Sequence, residues 1–279
     1  MSVDGSTVRP RGTARRLLAA NAWLVYIFFY APIVVLIVLS FNDNRFVGIW
    51  RGFTLGWYGE MLDNTAVLRA IRNSLIVASV STLIATGLGT AAALALERYR
   101  FRGRRAFDAT LYLPVIIPDV TMAVMLLLFF VRAADAVFLM TGAQMRLGLT
   151  TITLSHVAFN IAFVAIVVRA RLAGMDPVLE EAAADLYADR WQTFRRVTFP
   201  QMMPGVLGGA LLALTLSLDD VVITSFVSGP GSTTLPVYVF GLVRRGVTPL
   251  INAVSTTMLV ASMMLVFASV LLQRGRGTT

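Results

Sequence analysis

Three carboxylates in this sequence sit inside apolar runs, where a charge is expensive. Asp119 follows Pro114 and Pro118 in LPVIIPDVTMAVMLLLFF, and Asp219 and Asp220 adjoin in GALLALTLSLDDVVITSFV. An ionisable side chain held in hydrocarbon costs about 3 kcal/mol on insertion scales, so each should face a protein interior or a water-filled cavity. Such carboxylates can line a path for cations or pair across helices. Two brought together from separate segments, Asp119 with Asp220, could instead share a proton as an aspartyl hydrolase dyad does. A third reading makes Asp119 the cap of a helix broken at Pro118. Residues adjacent on a helix point about 100° apart, so at least one of Asp219 and Asp220 should face inward. The single histidine, His156, has Asn160 four residues on, hence on the same helix face. One histidine makes no metal site without further ligands, so an interhelical hydrogen bond is the expectation. With no cysteine, disulfides and thiol chemistry are excluded. No P-loop, nucleophile elbow, zinc-ligand cluster or dinucleotide fingerprint occurs.

These groups need elements to hold them, and the composition says what kind. Hydrophobic residues make up 57% and charged residues 14%, with mean hydropathy +0.75. Soluble domains carry roughly a quarter charged residues, so lipid is the expected surroundings. About 20 apolar residues cross the hydrocarbon. Six windows qualify, Ala20–Phe41, Asn73–Leu96, Ala109–Val131, Leu149–Val168, Pro204–Phe226 and Leu250–Leu272. The fold class is therefore an all-α polytopic membrane protein of about six transmembrane helices. The first apolar run is too long for a cleaved signal peptide, and no small-x-small site follows it. All 24 basic residues are arginine. With the N-terminus inside, sixteen of them fall on inner segments and eight on outer ones. The positive-inside rule then places both termini in the cytoplasm, and membrane topology rather than nucleic acid accounts for the net charge of +9. Residues 1–19 read as a basic cytoplasmic tail, 20–272 as the transmembrane domain and 273–279 as a second tail. Pro32 should kink the first span. In the outer loop, WYGEML reads as a short interfacial helix. The second span is rich in Ala, Gly, Ser and Thr, small residues that let helices approach closely. Its trailing run, ERYRFRGRR, reads as a topology signal. Gly229, Pro230 and Gly231 break the chain at membrane depth, which is tolerated where backbone lines a cavity.

The inner segment 170–203 differs from everything around it. Asp176 suits a helix N-cap and Pro177 the first helical position. Glu180 and Glu181 fall in the first turn, where the helix dipole favours anions. Ala182, Ala183 and Ala184 give a smooth helical surface before Asp185. A second short helix begins at Arg190 and Trp191, and Pro200 and Pro204 turn the chain back to the membrane. A polar, helix-prone stretch held on one side of a greasy chain is suited to docking a soluble partner.

Glu181-Ala182-Ala183, Phe194, Val197, Phe199-Pro200 and Pro204-Gly205 resemble the EAA loop of permease subunits of bacterial ABC importers. Tyr187 stands where that family has Gly, and Phe199 where it has Leu. A Gly there allows a tight turn between two coupling helices, whereas Tyr adopts the left-handed conformation only at a cost. Either the turn differs here or the partner has a matching groove. SLDD, VSGPG, TTLP and VTPLINAVSTTML resemble the polyamine branch, most closely its putrescine-type subunit, although Leu250 replaces an acidic residue. The resemblance covers nearly the whole chain and implies a type I permease fold in a bacterial inner membrane. It also implies a second permease subunit, two ATPase subunits that use the ATP, and a periplasmic binding protein. No cofactor is expected on this chain. Glu180, Glu181, Ala182, Ala183, Asp185, Tyr187 and Pro200 are then the expected ATPase-coupling residues. Asp119, Asp219 and Asp220, with Phe226 and Tyr238, would line the path, since ammonium groups need carboxylates or aromatic faces. Another small solute, an intramembrane aspartyl enzyme and an ion-coupled carrier are the competing readings. Inverted repeats, the mark of the last, are not apparent.

Overall fold

The computed structural model describes residues 12–44, 49–244, 246 and 248–274. The readings of residues 1–11 and 275–279 as tails lie outside them. The described chain is helical: α1 Gly12–Leu39, α2 Gly56–Asp63, α3 Thr65–Arg98, α4 Arg104–Ile116, α5 Asp119–Thr141, α6 Leu149–Ala173, α7 Val178–Asp185, α8 Arg190–Thr193, α9 Phe199–Asp219, α10 Val222–Val227, α11 Leu235–Val243 and α12 Pro249–Arg274. A π-helical turn, Phe194–Thr198, joins α8 to α9. Among the described residues, five stretches are long and apolar enough to cross a bilayer, and they lie in α1, α3, α5, α6 and the run Arg190–Asp219. The 26-residue α12 stands at the place of the sixth expected crossing, with a shorter apolar stretch over Pro249–Met264 among the described residues. The interfacial helix of the outer loop is present as α2.

Two windows need correction. The third does not run from Ala109 to Val131 as one helix. Ile117 is extended, with φ −74° and ψ 131°, and the crossing helix is α5. Pro118 has no N–H to offer the helix and forces the residue before it out of the α region. Asp119 is therefore the first residue of α5 and not ten residues into a span. The fifth window breaks before the glycines, at Asp220, which is extended with ψ 125°. Its carboxylate accepts the backbone N–H groups of Ile223 at 3.2 Å and Thr224 at 2.7 Å. A short polar side chain that captures the next turn's donors competes with continuing the helix.

The core is a trio of α3, α6 and α9. The small residues expected to allow close approach lie at this contact, where Ala78, Ala85, Gly89, Ala92 and Ala93 of α3 are buried. A Cβ on Gly89 would lie 2.7 Å from Cβ of Val164 on α6, and one on Gly209 of α9 3.3 Å from Cα of the same valine. Hydrophobic burial cannot drive helices together in lipid, so the dispersion gained at this separation and side-chain hydrogen bonds must do so. One such bond joins Ser81 to Ser217 at 3.1 Å.

The turn between α10 and α11 is seated on the other helices. Asn73 donates to the carbonyls of Gly231 and Thr233, both at 3.0 Å. Ser74 Oγ accepts from Leu235 N at 2.8 Å, and Thr151 donates to the Val227 carbonyl at 2.7 Å. A Cβ on Gly229 would meet the Leu147 carbonyl oxygen at 1.9 Å, a backbone atom with no freedom to yield. Gly229→Ala should therefore unseat the turn and destabilise the detergent-purified protein by about 3 kcal/mol, at the upper end of overpacking costs. Gly208→Ala, whose Cβ would meet Val167 at an ordinary 3.6 Å, is the control. Equal thermal midpoints for the two variants would contradict this account.

Candidate functional site

The break at Asp220 shapes a cavity of about 340 Å³ lined by Asp119, Asp219, Asp220, Pro114, Met122, Phe159 and Phe163. The proline break delivers Asp119 from the start of α5, and the end of α9 delivers the adjacent pair. All three expected aspartates are thus brought together. Phe226 and Tyr238 are not. Phe226 lies on α10 outside the cavity lining, and Tyr238 packs with Met61 and Val67 elsewhere. Two aromatic rings that sequence reasoning did not single out, Phe159 and Phe163, line the cavity instead. Their i, i+4 spacing on α6 was the available signal.

The three carboxylates differ in what holds them. Asp220 has 11% of its side chain exposed, and Oδ2 lies 3.3 Å from Nε2 of the fully buried His156. The same oxygen accepts from Thr224 Oγ1 at 2.7 Å. His156 continues the chain of contacts, with Nε2 3.0 Å from Thr224 Oγ1 and Nδ1 2.6 Å from Ser217 Oγ. One network thus ties α3, α6, α9 and α10, and His156 makes the interhelical hydrogen bonds its sequence context suggested. No group of three metal-ligating side chains occurs among the described residues. Asp119 and Asp219 are exposed toward the cavity, and neither bonds a described residue. Asp220 is the inward-facing member of its pair. Its oxygens are occupied by Ile223, Thr224 and His156, which leaves no proton-sharing dyad with Asp119.

At the opposite end of α9 the chain forms an elbow. α7 begins one residue later than expected, with Pro177 in the cap position, and Asp176 Oδ1 accepts from Val178 N at 3.0 Å. Asp189 caps α8 through Gln192 N at 2.8 Å. Between the helices, Tyr187 adopts φ +59°. The chain therefore makes a tight left-handed turn with Tyr at the position where the resemblance led one to expect Gly. Ala188 N donates to Ala183 O and Tyr187 N to Ala184 O, both at 3.0 Å, the pairing of a Schellman cap. A non-glycine residue held left-handed costs about 1 kcal/mol or more. The ring projects outward, 98% exposed. Glu181, Ala182, Asp185 and Pro200 are exposed and Ala183 is half-buried. Glu180 points the other way: its Oε1 lies 2.7 Å from Arg98 Nη2 and accepts from Thr198 Oγ1 at 2.8 Å.

The run ERYRFRGRR is more than a topology signal. Glu97 accepts from Arg169 Nε at 2.8 Å, Asp108 pairs with the same guanidinium, and Tyr112 OH lies 3.2 Å from it. Arg98 holds Glu180. No local spacing signals this cluster, because the partners of Arg169 lie 72 and 61 residues away.

With this geometry in place, comparison with known proteins is informative. Residues 85–275 match the family described as binding-protein-dependent transport system inner membrane component. The chain is 46% identical over 237 residues to the putrescine transport system permease protein PotI of Escherichia coli (strain K12), covering 85% of this chain and 83% of that one. It is 40% identical over 252 residues to the spermidine/putrescine transport system permease protein PotC of the same strain, covering 90% and 92%. Among solved structures, it superposes with a TM-score of 0.78 on a bacterial ABC transporter involved in the import of the acidic polysaccharide alginate. That match covers 95% of this chain and 96% of the other at 20% identity.

Proposed function

Because this chain belongs to the binding-protein-dependent transport system inner membrane component family, we propose that it is the membrane subunit of an ATP-driven polyamine importer, with putrescine preferred over spermidine. A periplasmic binding protein delivers the substrate to the outer face. This subunit and a second permease form the path through the bacterial inner membrane, and two ATPase subunits dock on their elbows. ATP is hydrolysed on those partners and not on this chain. Residues 1–19 and 273–279 remain on the cytoplasmic side.

The observation that carries this reading is the pair of unengaged carboxylates, Asp119 and Asp219, facing a cavity walled by Phe159 and Phe163. A diammonium chain needs charge for its ends, and aromatic faces add cation–π attraction for an ammonium passing between. A carboxylate within a membrane needs an opening to water or substrate, and the cavity provides one. The high identity to a protein named as a putrescine permease points to the same solute.

The test is uptake of labelled putrescine by cells that carry this chain with its partner subunits, against unlabelled competitors. Putrescine should compete fully, spermidine at about tenfold higher concentration and an uncharged diol not at all, tenfold corresponding to about 1.4 kcal/mol of discrimination. Competition by the diol would remove the polyamine assignment.

A further inference from the structure

The helix α7 has two faces and almost nothing to hold it still. It buries no residue, and chain turns flank it at Gly174–Pro177 and at Leu186–Asp189. Little hydrophobic packing therefore fixes its orientation. Behind it, between the elbow and the end of α3, lies a cleft of about 770 Å³ lined by Arg98, Tyr99, Glu180, Ala184, Phe194 and Thr198, among others. A helix hinged at both ends over open space would tilt under load and pass no displacement on.

One side chain bridges the cleft. Glu180 is the only residue of α7 with a polar side-chain tie to the bundle among the described residues. A single oxygen serves two anchors, Arg98 on the last turn of α3 and Thr198 at the foot of α9. Thr198 is buried, so that anchor is fixed. The other is stiffened from next door: Glu97 is held by Arg169 of α6, which also grips Asp108 of α4. Two helices thus meet at the Glu180 carboxylate, and α4 and α6 brace the residue beside one of its anchors. Glu181, one residue on, points about 100° away toward solvent.

We infer that Arg98 and Glu180 form a strut that sets the angle of α7 and carries motion of the elbow into α3, so that Arg98 is a positioning residue of the transport cycle. Exposed ion pairs contribute little stability. The role of this one is to fix direction, and it rests on the reading of α7 as the ATPase docking element.

The chain has no cysteine, so Ala182→Cys accepts a single spin label on the outer face of α7. In lipid nanodiscs holding the full chain, the label should become markedly more mobile in Arg98→Glu and in Glu180→Arg. It should return to wild-type mobility in the double reversal, where the pair is rebuilt with opposite polarity. In proteoliposomes with the complete importer, each single variant should retain its ATPase subunits. Uptake of putrescine or spermidine per ATP hydrolysed should fall about tenfold and recover in the double variant, the pattern of a directly coupled pair. Unchanged mobility in the single variants overturns the strut, as does a double variant no better than the worse single one. Loss of the ATPase subunits from Arg98→Glu overturns it as well, since Arg98 would then belong to the docking face. The docking reading fails separately, if Glu181→Lys keeps both its ATPase subunits and its uptake.

Discussion

Replacing Glu181 with lysine is expected to leave the chain inserted and folded while ATP-driven uptake stops. Glu181 is exposed in the first turn of α7, and its side chain makes no hydrogen bond to a described residue. Its removal from the positive end of the helix dipole costs about 0.5–1 kcal/mol, too little to unfold a domain. The same reversal at a docked interface sets like charges together or leaves a buried charge unpaired, which costs several kcal/mol. A loss of about 3–4 kcal/mol is a factor of several hundred in partner affinity. Recovery of the ATPase subunits with tagged permease, together with uptake, measures this directly. Wild-type values for both would show that the outward face of α7 is not where the motor binds.

The second expected result separates two neighbours. Asp219→Asn should cut polyamine uptake at least tenfold with little change in thermal midpoint, because that carboxylate faces the cavity and holds no structure together. Substitutions away from packed or bonded sites alter stability by about 0.5 kcal/mol or less. Asp220→Ala should do the reverse. It removes the acceptor for Ile223 N, Thr224 N and Thr224 Oγ1 and leaves the buried His156 without its carboxylate. A lost cap costs about 1 kcal/mol, and each buried donor left unpaired about 1–3 kcal/mol more. Assembly of the importer should then fail before transport can be assayed. Thermal unfolding and uptake measured on both variants decide the matter; matching profiles would abolish the distinction.

Much of this molecule was legible before any coordinates, because its strongest constraints are local. Twenty apolar residues at a time declare a crossing, and the small residues of α3 declare a close approach. Proline at 118 marked a break, yet the break moved the whole third crossing about ten residues later, a shift that hydropathy alone does not register. The early end of α9 was hidden for a different reason. Asp220 stops the helix by bonding forward to α10, and a carboxylate in an apolar run gives no sign of which donors it will take. The three aspartates were recognisable as a set because each is costly on its own. Their division of labour was not, since it depends on His156 from another helix. Phe226 and Tyr238 were near in sequence but do not line the cavity, whereas Phe159 and Phe163 are distant in sequence and do. Glu180 and Glu181 look alike as letters, and only the direction of one helix turn sends them to opposite sides.

Val164 touches the backbones of α3 and α9 at the positions of Gly89 and Gly209. Three chains pinched around a single isopropyl group have no clearance for sliding, because a closely packed interior exchanges discrete arrangements and does not shear smoothly. The trio must then tilt as a solid wedge. The helical chain is interrupted beside it at the proline joint 117–118, the turn 174–177 and the step Asp220–Val221, so any rearrangement of the bundle is expected to bend these three short seams.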